Sequence, residues 1–330
     1  MSKSYRKLRW DPYQLYVGHN FDTFWADCLK DGKGKLLFLV GRGFDVRANV
    51  IPDRIVGLGK VEALHGWLLT YRNGQPESEF TQKRVEANVK AFTKTFEAGL
   101  TDIEIKMRGA GNTNVTSRNT RTAVSRRNEL AQYTDLIIDI SAMPRTVALT
   151  AIAQLIALLD EIVQNDGPSV NLHVAVAESI TADRGAASGS LSDTVTSLVG
   201  FSGQLTSESS ANVPRVWFPV LGEGQAARLE RIRAELDPDE ICPTIPFPSR
   251  DPRRGDRLIE EYRQLLFDDF RIEPANILYA SEYNPFEAYR QLYGAIDRYR
   301  DALRELGGCK AFVSPLSSKL LSARGSRSTG

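Results

Sequence analysis

Leu36–Val40 is an unbroken apolar run, LLFLV, closed by Gly41-Arg42-Gly43. The same rhythm of apolar run, polar loop and amphipathic stretch returns along the whole chain. A run that is apolar at every position predicts a strand buried on both faces. Further strands are expected at Ala63–Tyr71, Ile103–Met107, Asp135–Ile140, Val170–Ala177, Arg215–Val220, Ile241–Ile245, Asn276–Ala280 and Ala311–Val313. Between them, Glu79–Phe96 carries Phe80, Val85, Val89, Phe92 and Phe96 near helical spacing. Other helices are expected at Asn119–Gln132, Thr146–Val163, Gln225–Leu236, Gly255–Phe267 and Phe286–Leu306, with one more beginning at Leu316–Leu321.

Strands alternating with helices predict an α/β fold of Rossmann-like type, a mostly parallel sheet with helices on both faces, with room for two Rossmann-like halves. The rhythm breaks at 185–212, which is rich in Ser, Gly and Thr and reads as a flexible loop or hinge. The expected organisation is an N-terminal half over 1–184, a C-terminal half over 213–322, and a disordered tail or cloning remnant over 323–330.

Bulk composition narrows the partners more than the fold. With 330 residues there is chain enough for one or two domains. The net charge of +1 leaves no overall field to favour nucleic acid or a membrane, so anion binding must come from local clusters. Cys28, Cys242 and Cys309 lie far apart without CxxC spacing, which argues against a disulfide framework or a zinc site and for a reducing cytoplasm. No metal is expected. The basic N-terminus has no apolar run of signal-peptide type. The apolar stretch Val147–Leu159 is interrupted by Gln154 and reads as a core helix, so no membrane partner is expected.

Candidate chemistry lies in the loops that follow the strands, where parallel sheets collect ligands. In Gly41-Arg42-Gly43-Phe44-Asp45-Val46-Arg47, the glycines allow a tight turn, and Arg42 and Arg47 could grip phosphate or carboxylate. Asp45 could accept from ribose hydroxyls or pair with Arg47. In Ser141-Ala142-Met143-Pro144-Arg145-Thr146, Ser141 could cap the following helix, with Arg145 and Thr146 at its positive end. Ser314, Ser317 and Lys319 repeat that layout after the last strand. Ser281, Glu282 and Tyr283 offer a hydroxyl, an acid and a ring for stacking a purine. Together these loops read as a rim for a nucleotide-like ligand.

The string Gly41-Arg42-Gly43-Phe44-Asp45-Val46-Arg47 is similar to the first motif of some class I methyltransferases, which implies S-adenosylmethionine as a cofactor; the similarity ends with that loop. The wider organisation, strand–loop–helix junctions carrying Ser, Thr and Lys or Arg over Leu36–Leu321, resembles the CARF-type sensor domains of bacterial defence systems. That resemblance implies a nucleotide signal and a sensing or regulatory role.

Three functions follow as expectations. The leading one is a binder of a nucleotide or other phosphorylated small molecule. The second is an enzyme, a methyltransferase or a nucleotide hydrolase, with Asp45, Glu178 and Glu282 as catalytic candidates. The third is a non-catalytic subunit with a protein partner or a second copy of itself. No HExxH or GxSxG string is present, and His173 lies inside an apolar strand, as a core residue would. The arginines of Arg108–Arg127 lack interleaved aromatics, so nucleic acid is not an expected partner.

Overall fold

The computed structural model describes residues 12–72, 78–178 and 213–317. The 185–212 linker, the 323–330 tail, Lys319 and nearly all of the expected last helix lie outside them. Strands and helices alternate in two separate, wholly parallel sheets of five strands each. The described residues form two compact units: 22–178, and 213–317 together with the stretch up to Phe21.

In the first unit the strands are β1 (Lys35–Gly41), β2 (Ala63–Arg72), β3 (Leu100–Lys106), β4 (Asp135–Asp139) and β5 (Asn171–Ala175). Their order is β3-β2-β1-β4-β5, the doubly wound arrangement. The chain moves outward from β1 on one side and resumes on the other, so the order reverses between β1 and β4. Leu36 to Val40 are fully buried, as an all-apolar run requires. The first helices are α1 (His19–Cys28), α2 (Val50–Val56) and α3 (Glu79–Phe96). α3 starts at Ser78, whose hydroxyl accepts from the Thr81 amide at 3.2 Å. It lies so close to β2 that a Cβ on Gly66 would stand 2.9 Å from the Phe96 ring.

The expected helix over 119–132 is two pieces, α4 (Thr116–Val124) and α5 (Arg127–Leu130). The backbone leaves helical geometry at Ser125, whose hydroxyl donates to the Arg121 carbonyl at 2.6 Å. α6 (Arg145–Gln164) is apolar nearly all round and is a core helix of this unit. By length and composition it could cross a membrane, but 61% of the stretch is buried in the protein.

Asp135 and His173 pair at 2.9 Å at the amino-terminal side of this sheet, with Trp25 against the imidazole. Burial pushes the Asp135 carboxyl up, but hydrogen bonds from His173, Thr134 and Asn171 outweigh it and hold the carboxyl below its ordinary 3.8. A depressed folded value gives stability that is present above the ordinary value and disappears as pH falls through the lower one. Asp135→Asn is therefore expected to be less stable than wild type at neutral pH, with the gap closing below about pH 3.8. Urea denaturation across pH 2–7 checks this; a gap that is constant with pH contradicts it.

The second unit contains β6 (Arg215–Val220), β7 (Glu240–Ile241), β8 (Thr244–Pro246), β9 (Leu278–Ala280) and β10 (Lys310–Pro315), ordered β10-β6-β8-β9 with β7 also on β6. The expected single strand at 241–245 is thus two short ones, because Pro243 has no N–H to continue a ladder. The helices are α7 (Ala226–Leu236), α8 (Arg254–Glu261) and α9 (Pro285–Ala302). The helix expected over 255–267 ends at Glu261 and gives way to a π turn at Gln264–Asp269. Both sheet faces are covered. Val216, Phe218 and Val220 pack with Ala288, Leu292 and Ile296 of α9, while Trp217 packs with Leu229, Leu258 and Tyr262. The stretch up to Phe21 joins this unit through Tyr13, whose ring stacks 3.9 Å from Phe286 and whose hydroxyl accepts from Asn284 Nδ2 at 2.7 Å.

Candidate ligand site at the strand ends

The reversal between β1 and β4 brings two of the expected loops together. A Cβ on Gly43 would stand 2.8 Å from the Ala142 carbonyl oxygen, and one on Gly41 would stand 3.0 Å from Met143. The loops 41–47 and 141–146 are therefore pressed backbone to backbone, and only glycine fits on the β1 side.

Much of the chemistry predicted for these loops is turned inward. Arg47 is buried and does not reach outward as an anion grip; its guanidinium donates to Asp45 at 2.9 and 2.6 Å and to the Ala177 carbonyl at 3.2 Å. Asp45 is likewise held by its own neighbour rather than turned to a ribose. Ser141 does not cap α6, whose N-cap is Pro144 without a side-chain hydrogen bond. The Ser141 hydroxyl donates to Asp139 Oδ1 and accepts from the Ala177 amide at 2.8 Å. Ala177, just past β5, is thus tied to the β1 loop through its carbonyl and to the β4 loop through its amide. Asn88 of α3, which the sequence did not single out, donates to the carbonyls of Gly43 and Asp45 at 2.8 and 2.9 Å.

What this knot leaves toward solvent is a smaller set. Arg42 is half-buried, and its guanidinium has no ion pair or hydrogen bond among the described residues. Phe44 and Val46 are exposed. Arg145 and Thr146 are half-buried at the start of α6, where the first-turn amides have no intrahelical acceptor. Glu178 is half-buried beyond β5.

The Tyr71 hydroxyl lies beside Gly41 at the end of β2, buried and with no hydrogen-bond partner among the described residues. Burial, and then the negative charge of Asp139, push its phenol far above the usual range, so it stays protonated. An orphaned buried donor costs about 1–3 kcal/mol. Tyr71→Phe is accordingly expected to stabilise the protein by about 1 kcal/mol in urea denaturation. A loss of stability instead would show that the hydroxyl is partnered.

The second unit has a similar meeting point that is filled by its own side chains. A Cβ on Gly222, after β6, would stand 2.5 Å from the Leu316 carbonyl and 2.8 Å from Ser317 Cα. Arg254 lies between two carboxylates, bidentate to Glu223 at 2.7 and 2.7 Å and bonded to Glu282 at 2.7 Å. Burial alone would lower the Arg254 pKa, but the two glutamates outweigh it and raise it. Glu282 is buried and also accepts from the Arg250 amide at 3.0 Å, so it is an ion-pair partner here and not an exposed acid. Ser281 is buried and accepts from the Tyr283 amide at 3.2 Å, while the Tyr283 ring is exposed. Ser314 accepts from the Trp217 indole at 2.9 Å, and Ser317 is buried. The candidates at 314–317 therefore belong to a different unit from those at 41–47 and 141–146.

No protein-family model matches the chain, and no curated protein matches it. Among the described residues no group of three His, Cys, Asp or Glu side chains is placed to hold a metal ion.

Proposed function

We propose that the chain binds a nucleotide or another phosphorylated small molecule at the β1/β4 switch point of the first unit, in a sensing or regulatory role. The observation that carries this is the packing of Gly43 on the Ala142 carbonyl exactly where the strand order reverses, with Arg42, Arg145 and the start of α6 around it. Crevices at such reversals are where open parallel sheets take ligands, and a helix start with nearby guanidinium groups suits an anion. The resemblance to CARF-type sensors extends the reading to a nucleotide signal of bacterial defence.

Two of the three catalytic candidates, Asp45 and Glu282, are engaged with Arg47 and Arg254, which favours binding without turnover over a hydrolase. The same Asp45–Arg47 pair weighs against a methyltransferase, whose ribose contact it would have to supply.

Thermal-shift measurements against nucleotides, NAD, S-adenosylmethionine and cyclic oligonucleotides test the proposal. A phosphorylated ligand at a hundredfold excess over Kd is expected to raise Tm by about 5–10 °C. Arg42→Ala is expected to shrink that rise. No shift with any phosphorylated compound near millimolar concentration would count against the reading.

A further inference from the structure

We infer that Asn88 is a positioning residue that turns the amides of Phe44 and Val46 outward as a backbone grip for the anionic part of the ligand. The inference rests on the proposed function and deepens it. The Asn88 amide nitrogen donates to the carbonyls of Gly43 and Asp45 and holds both on the α3 side of the loop, the Asp45 carbonyl also accepting from the Ala48 amide at 3.1 Å. A trans peptide is planar, with its C=O and N–H pointing opposite ways. The N–H groups of Phe44 and Val46, which share those two peptide planes, must then point away from α3. Neither amide has a hydrogen-bond partner among the described residues, and both residues are exposed. Two N–H groups turned outward on the same side of a loop can donate together to one anion, and the Arg42 guanidinium precedes them on the same loop.

The protein's other sheet shows what such a loop does when its anion is built in. After β6, the Gly224 amide donates to the Glu261 carboxylate at 2.7 Å, and the Gln225 amide donates to the Tyr262 hydroxyl at 2.9 Å. There α8 and the residue after it supply the acceptors. In the first unit α3 supplies a donor, Asn88, which takes the carbonyls and leaves the amides for an acceptor from outside. The ligand chemistry this selects is a compact multivalent oxyanion such as a phosphate group, whichever molecule carries it.

The test is a titration of the 15N-labelled protein with inorganic phosphate, read at the Phe44 and Val46 amides, in wild type, Asn88→Ala and Asn88→Asp. Both amide protons are expected to move downfield saturably in wild type. Asn88→Asp keeps the shape but cannot donate to the two carbonyls, and both variants are expected to weaken phosphate binding about tenfold, with a drop of a few degrees in the unliganded Tm. Phosphate that binds without moving these two amides, or that binds both variants as tightly as wild type, overturns the inference and leaves the switch-point reading standing. If wild type binds no phosphate at millimolar concentrations, the inference falls, while the switch-point reading stands or falls on the thermal shifts with nucleotides.

Discussion

Arg254→Met is expected to cost about 3–5 kcal/mol, because it leaves a buried carboxylate without its counter-ion. The Glu282 side chain is only 8% exposed and the Arg254 side chain 14%, so water cannot replace the lost partner. Glu223, at 33% exposure, can turn to solvent and should contribute less. The cost therefore belongs mainly to Glu282, and removing that charge as well should restore much of the loss. Arg254→Met combined with Glu282→Met is expected to be more stable than Arg254→Met alone, since buried ion pairs exchanged for apolar side chains of similar volume are often neutral or better. Urea denaturation of the single and double variants measures this. A single variant within about 1 kcal/mol of wild type would show that the ion pairs behave as surface pairs do.

Gly43→Ala should have the largest effect on binding. The new Cβ meets a backbone carbonyl, that of Ala142, and a backbone atom cannot rotate away as a side-chain tip could. The two loops must separate, at a cost of about 1–3 kcal/mol for overpacking. Separation also moves Arg42 away from the start of α6, so the groups proposed to share one anion no longer converge. Loss of ligand-induced thermal stabilisation with a modest drop in the unliganded Tm is the expected result. Full-strength stabilisation in Gly43→Ala would mean that the ligand, if bound, does not need these loops in contact.

The fold was legible where strands are buried on both faces. Leu36–Val40 and Leu136–Ile138 show as continuous apolar runs, and a long apolar helix follows the second. The breaks were less legible. Pro243 splits a strand and Ser125 splits a helix through local backbone geometry that apolar periodicity does not register. The site residues divide along the same line. Gly41, Gly43 and Arg42 could be read from their place after a strand. The Asp45–Arg47 pair was one of the two readings the loop allowed and is the one found, but the other partners lie far along the chain: Ala177 is 130 residues from Arg47 and Glu282 is 32 from Arg250. Asn88 carried no signal at all, sitting in mid-helix between Ala87 and Val89, and only the folded chain brings it under the glycine loop. That the chain holds two α/β halves was legible from the strand–helix alternation on either side of 185–212. That the second half fills its own switch point with Glu223, Arg254, Glu261 and Tyr262 was not.

Amide hydrogen exchange with and without the most stabilising phosphorylated compound tests the switch-point claim most directly. Slowed exchange at 41–47 and 141–146 together is the predicted result. Protection confined to 221–225 and 281–285, with 41–47 and 141–146 unchanged, would contradict it.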